Sequence, residues 1–182
     1  MKKNNTLWLL LLALCSIFAA CKKDRPPKTE LEKLPPATQT GANTFGCLLN
    51  GQVWIPKDNY GQATFKLDVD PTYGNGVFAI SAVRYDGNGN GVFFGFSFGS
   101  IASTTGGTYN LSQQNVNFSI SDIKLLCSYD SNTPGIYKTG SFTITRYDLT
   151  NRIFSGTFDF AVYNQGCGDT LHFTNGRFDK KL

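Results

Sequence analysis

The sequence predicts an all-β domain: an antiparallel, jelly-roll-like β-sandwich or a partly closed barrel of about nine or ten short strands. The chain contains 19 Gly, 15 Phe and 8 Tyr residues, and only 16% of its residues are charged. Phe and Tyr suit pleated strands, whereas Gly suits the turns between them. Helical and strand patterns do not alternate along the chain, which excludes a parallel sheet.

Residues 1–20 are expected to be a lipoprotein signal peptide that is removed before folding. A basic start is followed by the apolar run 7–20, and small residues precede Cys21. The run is shorter than the roughly 20 residues of a membrane span. Phe18-Ala19-Ala20-Cys21 resembles a bacterial lipobox, which implies cleavage before Cys21 and lipid attachment to that residue. Cys15 is a poorer candidate because a bulky leucine precedes it.

Residues 21–43 are expected to form the lipidated cysteine and a Pro-rich tether. Pro-Pro pairs at 26–27 and 35–36 favour an extended, left-handed conformation. Most of the surplus basic residues lie in this segment, where they favour anionic headgroups or simply solvate a linker. Ten basic and ten acidic side chains follow Ala37, so the remainder of the chain is neutral and has no nucleic-acid footprint.

A single β domain is expected over residues 44–182. It begins with a hairpin in which Asn50-Gly51 connects strands 44–49 and 52–55, because both turn positions favour positive φ. Trp54 is expected to anchor the core or the hairpin. Alternating apolar residues predict the later strands at 63–69, 77–85, 92–99, 115–121, 123–129, 138–147, 152–163 and 170–174, with a corner at 107–111 and a bulge at Asn175-Gly176.

Three cysteines, Cys47, Cys127 and Cys167, remain in the domain after Cys21. An exported chain meets oxidising conditions, so one disulfide is expected, with three pairings open and one thiol left over. We favour Cys47 with Cys167, which would join the first and last strands. Cys127 is then the odd thiol or an alternative partner. No metal site is expected from cysteines so far apart in a chain with one His.

Gly95-Phe96-Ser97-Phe98-Gly99 matches the G-x-S-x-G pattern of hydrolase nucleophiles. That motif requires a strand before the serine and a helix after it, but here the Phe residues alternate straight through. We therefore expect Ser97 to lie in a strand, opposite the Phe face. His172 alternates with apolar residues and is expected on a strand surface. The sequence accordingly predicts no catalytic residues, and an esterase using Ser97 is the least favoured function.

A weak calcium candidate lies in an Asp-Gly-Asn-Gly-Asn-Gly stretch, where alternate short oxygen ligands resemble the start of a calcium loop. Its ligands would be Asp86, Asn88 and Asn90. The bidentate Glu that completes such a loop is replaced by Ser97. Asp68 and Asp70 would add oxygens if their turn lay alongside. The alternative is a β-hairpin loop that needs positive φ, and no other cofactor is expected.

Several tyrosines lie near strand ends, where aromatic faces stack on sugars or anchor a partner protein. They are also ordinary partners in cross-strand pairs. The sequence does not choose among them. The candidates are Tyr60, Tyr73, Tyr85, Tyr129, Tyr137, Tyr147 and Tyr163.

Three stretches resemble a known family: 43–51 with Trp54, 155–160 (Ser-Gly-Thr-Phe-Asp-Phe) and 171–179 (Leu-His-Phe-Thr-Asn-Gly-Arg-Phe-Asp). Together with the lipobox they resemble the uncharacterised Bacteroidota lipoproteins described as domain of unknown function 6252. The resemblance extends from about Asn43 to the C-terminus. It implies an all-β lipoprotein domain and supplies no reaction and no catalytic residues.

These observations favour a non-catalytic, lipid-anchored envelope protein that binds or scaffolds an unknown protein or glycan ligand. Its membrane contact would be the lipid on Cys21, at the outer membrane, with the periplasmic or cell-surface side left open. The alternative is a carrier of a glycan or a small hydrophobic ligand. In that case Phe94, Phe96 and Phe98 would line a pocket instead of filling a core.

Overall fold

The structure is a computed structural model that describes residues 26–58, 61, 64–72, 76–85, 88, 91–99, 106–112, 116–122 and 127–182. Within these residues, eleven strands form two antiparallel sheets. The strands are β1 (Thr44–Leu49), β2 (Gln52–Trp54), β3 (Phe65–Asp70), β4 (Val77–Tyr85), β5 (Gly91–Gly99), β6 (Thr108–Asn110), β7 (Val116–Asp122), β8 (Cys127–Asp130), β9 (Ile136–Asp148), β10 (Ile153–Asn164) and β11 (Asp169–Lys181).

The two sheets form a sandwich and not a barrel. One sheet has six strands in the order β2-β1-β11-β10-β9-β6, and the other has five in the order β3-β4-β5-β7-β8. The all-β prediction is confirmed, and the described residues contain no α-helix, only a 3₁₀ turn at Leu31–Lys33. Most neighbouring strands are linked by hairpins, so the expected jelly-roll connectivity is not present. No helix among the described residues is long and apolar enough to span a membrane.

The first hairpin has the predicted turn. Asn50 and Gly51 both have positive φ, 49° and 80°, and Leu49 pairs with Gln52 across them. Trp54 is buried as expected, and its ring meets that of Phe45 edge-on at 5.9 Å. The predicted corner at 107–111 contains β6, which adds a short edge strand to the six-stranded sheet.

Aromatic side chains from both sheets fill the space between them. Phe94 and Phe96 of β5 are 1% and 2% exposed, and both contact Phe160 of the opposite sheet at ring distances of 6.0 and 4.8 Å. Phe142 and Phe158 stack in parallel at 5.6 Å. These rings pack together in the interior between the sheets. The Phe98 side chain lies outside the described residues.

Two glycines of β10 and β11 leave room for phenylalanine rings on the neighbouring strand. Gly156 lies opposite Phe178, and Gly176 lies opposite Phe158. A Cβ atom at Gly156 would come within 2.5 Å of the Phe178 ring, and one at Gly176 within 2.1 Å of the Phe158 ring. Only glycine permits these close approaches. The repeated Gly-x-Phe pattern of the two strands is therefore a packing device.

The second half of the expected tether is bound to the domain. Residues 30–42, which we call the strap, lie across the outside of the six-stranded sheet. The carboxylate of Glu30 accepts a hydrogen bond from the Val53 backbone N–H on edge strand β2, and Leu34 is buried. Pro35 lies over Gly46, where a Cβ atom would be 2.9 Å from the proline ring. The prediction of a tether up to residue 43 is therefore wrong for this segment, because its prolines pack instead of extending into solvent.

Candidate functional site

The three longest strands, β9, β10 and β11, lie side by side and display one continuous surface. Their register places outward side chains in rows across the sheet, because alternate residues of a strand face opposite sides. We call this surface the long-strand face. From one end to the other its rows contain Tyr137 and Tyr163, then Thr139, Ala161 and His172, then Ser141, Asp159 and Asn175, then Thr143, Thr157 and Arg177.

An exposed tyrosine pair marks one end of the long-strand face. Tyr137 and Tyr163 are directly paired across β9 and β10, and their rings stack at 6.1 Å with 30° between the planes. Tyr137 is 62% exposed and Tyr163 is 38% exposed. Aromatic rings left open to water at this level are available to a partner or ligand.

A trough of about 320 Å³ lies further along the same face. A bulge forms its floor, since Thr174 and Asn175 of β11 together oppose Asp159 of β10. Asn175 has a positive φ of 52° at this point, and the bulge predicted at Asn175-Gly176 is confirmed. The lining side chains are Ala37, Ser141, Thr143, Thr157, Phe158, Asp159, Asn175 and Arg177.

The trough presents donors and acceptors that the fold only partly uses. Asp159 Oδ2 accepts a hydrogen bond from the Asn175 backbone N–H at 3.0 Å. Arg177 donates from Nε to the Asn175 carbonyl at 3.2 Å and from Nη1 to the Pro35 carbonyl at 3.4 Å. Asp159 Oδ1 has no hydrogen-bond partner among the residues that the structure describes. A carboxylate, a guanidinium and several hydroxyls thus converge on one polar depression.

The strap closes one end of the trough. Ala37 lines it, and beyond the row of Thr157 the strap covers Ser155 and Asp179. The Asp179 carboxylate accepts hydrogen bonds from the Thr40, Gly41 and Ala42 backbone N–H groups at 2.9, 2.8 and 3.1 Å. It also accepts hydrogen bonds from the hydroxyls of Thr38 and Ser155, each at 2.7 Å. A single buried carboxylate therefore fixes the position of the end wall.

The ionisation of Asp179 reflects two opposing effects. Burial disfavours the carboxylate, but the hydrogen bonds from Thr38, Ser155, Ala42 and Thr40 stabilise it more, and they hold its pKa well below the usual range. Asp148, at the far end of β9, also has a lowered pKa because Asn151 and Arg146 donate hydrogen bonds to it. Both groups are charged at neutral pH and serve the fold.

The five-stranded sheet has its own shallow trough, of about 280 Å³. Small outward residues such as Ala79, Ser81 and Ser119 line it, together with polar groups at its edge, among them Asp130. Three phenylalanines line it, and the exposed one is Phe93, which is 36% exposed and lies over Gly95, with ring atoms about 2.9 Å from where a Cβ would be. This second face is the internal comparison for the first.

The predicted disulfide partner is wrong. The structure pairs Cys127 with Cys167 across 40 residues, and Cys47 is a buried free thiol. Cys47 faces the core beside Trp54, whereas Cys167 lies in the turn after β10, next to Cys127 at the start of β8. The disulfide joins the two sheets, and Asn164 reinforces it by donating to the Ser128 carbonyl at 2.9 Å. Burial raises the pKa of the Cys47 thiol to about 12.

Ser97 and His172 do not come together. Ser97 lies in the middle of β5, paired with Ala79 on one side and Asn117 on the other, as the alternation predicted. His172 is exposed on β11, on the outside of the opposite sheet. The G-x-S-x-G stretch is thus a regular strand without the strained turn of a nucleophile elbow.

The calcium candidate falls mostly outside the described residues, which include Asn88 but neither Asp86 nor Asn90. Asp68 and Asp70 lie in β3. Asp70 pairs with Val77 at the start of β4, whereas the loop follows Tyr85 at its end, about 26 Å away at the rise of a strand. Within the described ranges, no group of three or more His, Cys, Asp or Glu side chains is placed to hold a metal ion. Cys21 also lies outside the described residues.

Residues 96–180 match a family model described as a domain of unknown function, DUF6252. Over these residues the chain is similar to that family. The resemblance drawn from the sequence is thereby confirmed for the stretches 155–160 and 171–179, while the stretch 43–51 precedes the match. No curated protein and no solved structure matches the chain.

The DUF6252 match contains the whole long-strand face and every residue that lines the trough except Ala37 of the strap. Three residues in the matched region have structural explanations: the Ser155 hydroxyl binds Asp179, and Gly156 and Gly176 accommodate the rings of Phe178 and Phe158. Sequence reasoning missed the strap, because it depends on contacts between residues more than a hundred positions apart. It missed the trough because the trough depends on the register of three strands and on the bulge between β10 and β11. Tyr137 and Tyr163 were among the candidate tyrosines but were not singled out, because only the register of β9 and β10 shows that they are paired.

Proposed function

We propose that this protein is a non-catalytic, lipid-anchored binding module of the bacterial cell envelope, and that the long-strand face is its ligand-binding surface. The observation that carries the proposal is the alignment of an exposed tyrosine pair with a polar trough on one rigid face. Sites supported by regular strands hold their side chains in place, which favours recognition. The separation of Ser97 from His172 supports the proposal that the protein is not an esterase that uses Ser97.

The lipid anchor rests on the lipobox-like stretch that ends at Cys21. Only residues 22–29 separate that cysteine from the first strap contact at Glu30, at most about 30 Å of extended chain. The domain would therefore sit near the membrane surface and not at the end of a long stalk. Protease treatment of intact cells distinguishes a domain on the periplasmic side of the membrane from one on the cell surface.

The anchor is tested by metabolic labelling with a palmitate analogue in a bacterial host that processes lipoproteins. The native chain should incorporate label and partition into detergent, and Cys21→Ser should do neither. Cys15→Ser is the matched control and should behave as the native chain. Label retained in Cys21→Ser would refute lipidation at that residue.

The binding face is tested with a pair of matched substitutions. Ser141 in the trough and Ser97 on the opposite sheet are both half-buried serines in the middle of a strand. Ser141→Trp should fill the trough and lower the co-sedimentation of the unlipidated mature chain with envelopes from cells lacking the protein. Ser97→Trp should leave it unchanged. The reverse result would assign binding to the five-stranded sheet.

A further inference from the structure

We propose that the long-strand face binds a neutral oligosaccharide, with a terminal sugar in the trough and the following sugars stacked over Tyr137 and Tyr163. This inference rests on the proposed binding function and names the class of ligand. It follows from four properties of the face: its aromatic surface, its hydrogen-bonding groups, its charge and its closed end.

The tyrosine pair offers what a sugar ring needs. Its two rings form an apolar surface with hydroxyl groups at the edge, and a pyranose likewise has an apolar C–H face and a polar rim. The exposure of both rings leaves room for such stacking without any rearrangement of the sheet. An apolar partner alone would gain nothing from the polar trough beside the pair.

The trough supplies the directional contacts. Asp159 Oδ1 is open to accept from ligand hydroxyls, and Ser141 and Thr157 offer hydroxyls that both donate and accept. Ser141 lies four positions beyond Tyr137 along β9, roughly 13 Å away at the rise of a strand. The two features are thus in line and far enough apart to contact successive units of one chain.

The charge of the face disfavours the other polymeric ligands. Asp159 and Arg177 balance each other, and no further Lys, Arg, Asp or Glu points outward from its four rows. Nucleic acids and other polyanions require a basic surface, which this face lacks. A hydroxyl-rich, uncharged chain matches both the neutrality and the abundance of hydroxyl and amide groups.

The strap sets the direction of the bound chain. It crosses the sheet just beyond Thr157 and is fixed there by Asp179, so the trough is closed at that side and open toward the tyrosines. A chain bound in this way must end in the trough. The geometry therefore points to recognition of a chain terminus and not of an internal segment.

The test uses the mature chain on an array of neutral gluco-, manno-, galacto- and xylo-oligosaccharides, with sialylated and sulfated glycans for comparison. The best neutral disaccharide and its longer homologue are then titrated by calorimetry. The double variant Tyr137→Ala with Tyr163→Ala should weaken the longer chain by roughly tenfold and leave the disaccharide unchanged. Asp159→Asn should weaken both. Phe93→Ala is the matched aromatic control and should change neither, and every variant should keep the native thermal midpoint.

Absence of neutral-glycan binding would overturn the ligand class. If Ser141→Trp still lowered envelope binding in that case, the binding face would stand and only the class would be wrong. If neither glycan nor envelope binding responded to changes on this face, both proposals would fail. Loss of glycan binding in Phe93→Ala alone would place the ligand on the other sheet.

Discussion

The two sheets share one aromatic core but have different outer surfaces. In the five-stranded sheet the register runs without interruption across β3, β4, β5, β7 and β8, and small outward residues line a shallow trough of about 280 Å³. In the six-stranded sheet the register shifts at three places, and the strap and the trough lie there. Regular pairing is thus sufficient for one stable half of the sandwich. In the other half, the bulges accompany the strap and the polar trough.

The largest expected effect concerns the link between the two sheets. Replacing Cys127 and Cys167 by Ala should lower the free energy of unfolding by roughly 3 to 4 kcal/mol, because the disulfide closes a 40-residue loop. Denaturant titration of the native chain with and without reductant measures this change, and reductant should not affect the double variant.

Cys47 is the control for that experiment. The burial that raises its pKa to about 12 also shields it, so iodoacetamide should label it only after unfolding. Labelling of Cys127 or Cys167 in the folded, unreduced chain would contradict the pairing.

The second effect separates the covered sheet from the open one. Asp179→Ala removes the acceptor of six hydrogen bonds, which come from the strap and from Ser155, and should cost about 2 to 4 kcal/mol. It should also release the strap, which limited proteolysis between residues 30 and 43 would detect. Asp68→Ala, an exposed carboxylate on the five-stranded sheet, should change stability by less than about 0.5 kcal/mol. Equal effects of the two substitutions would refute the fastening role of Asp179.

The third effect compares two glycines that lie under phenylalanine rings. Gly176→Ala forces a Cβ into the buried Phe158 ring and should destabilise the protein by about 1 to 3 kcal/mol. Gly95→Ala meets the exposed end of the Phe93 ring, which can swing aside, so its cost should be small. Thermal melts of the two variants measure the difference, and a costlier Gly95→Ala would contradict the account of core packing.

The smallest effect is the pH dependence of unfolding. The pKa of Asp179 is lower in the folded chain than the value of about 3.9 in an unfolded one, so its contribution is complete above that value. The contribution is lost as the pH falls below about 4. Asp179→Asn should therefore flatten the stability profile between about pH 2 and 4 while leaving some slope from Asp148. An unchanged profile would contradict the lowered pKa.

Local patterns were sufficient to predict the fold class. The sequence pattern predicted β4 with its observed bounds, and Asn50-Gly51 predicted the first hairpin. Both features depend on residues that are close together in the sequence. The burial of Phe94 and Phe96 followed from the same alternation.

Long-range contacts limited the rest. The Pro-rich segment looked like a tether because nothing near it in sequence shows that Asp179 would bind it. The predicted pairing of Cys47 with Cys167 was wrong because Cys47 lies on the side of β1 that faces the core, where Cys167 does not reach it. Tyr137 and Tyr163 differ from the other tyrosines because they are paired across β9 and β10, which the sequence does not reveal. The trough depends on a bulge between β10 and β11, and the sequence does not show which side chains that bulge brings together.

The most direct test of the central claim is hydroxyl-radical footprinting of the protein in native envelopes and in purified form. Tyr137 and Tyr163 should be protected in the envelope relative to the purified chain, because the long-strand face is occupied there. Phe93 and Leu149, exposed to a similar degree elsewhere on the domain, should react equally in both preparations. Protection of Phe93 with unchanged reactivity of the two tyrosines would contradict the assignment of the binding face.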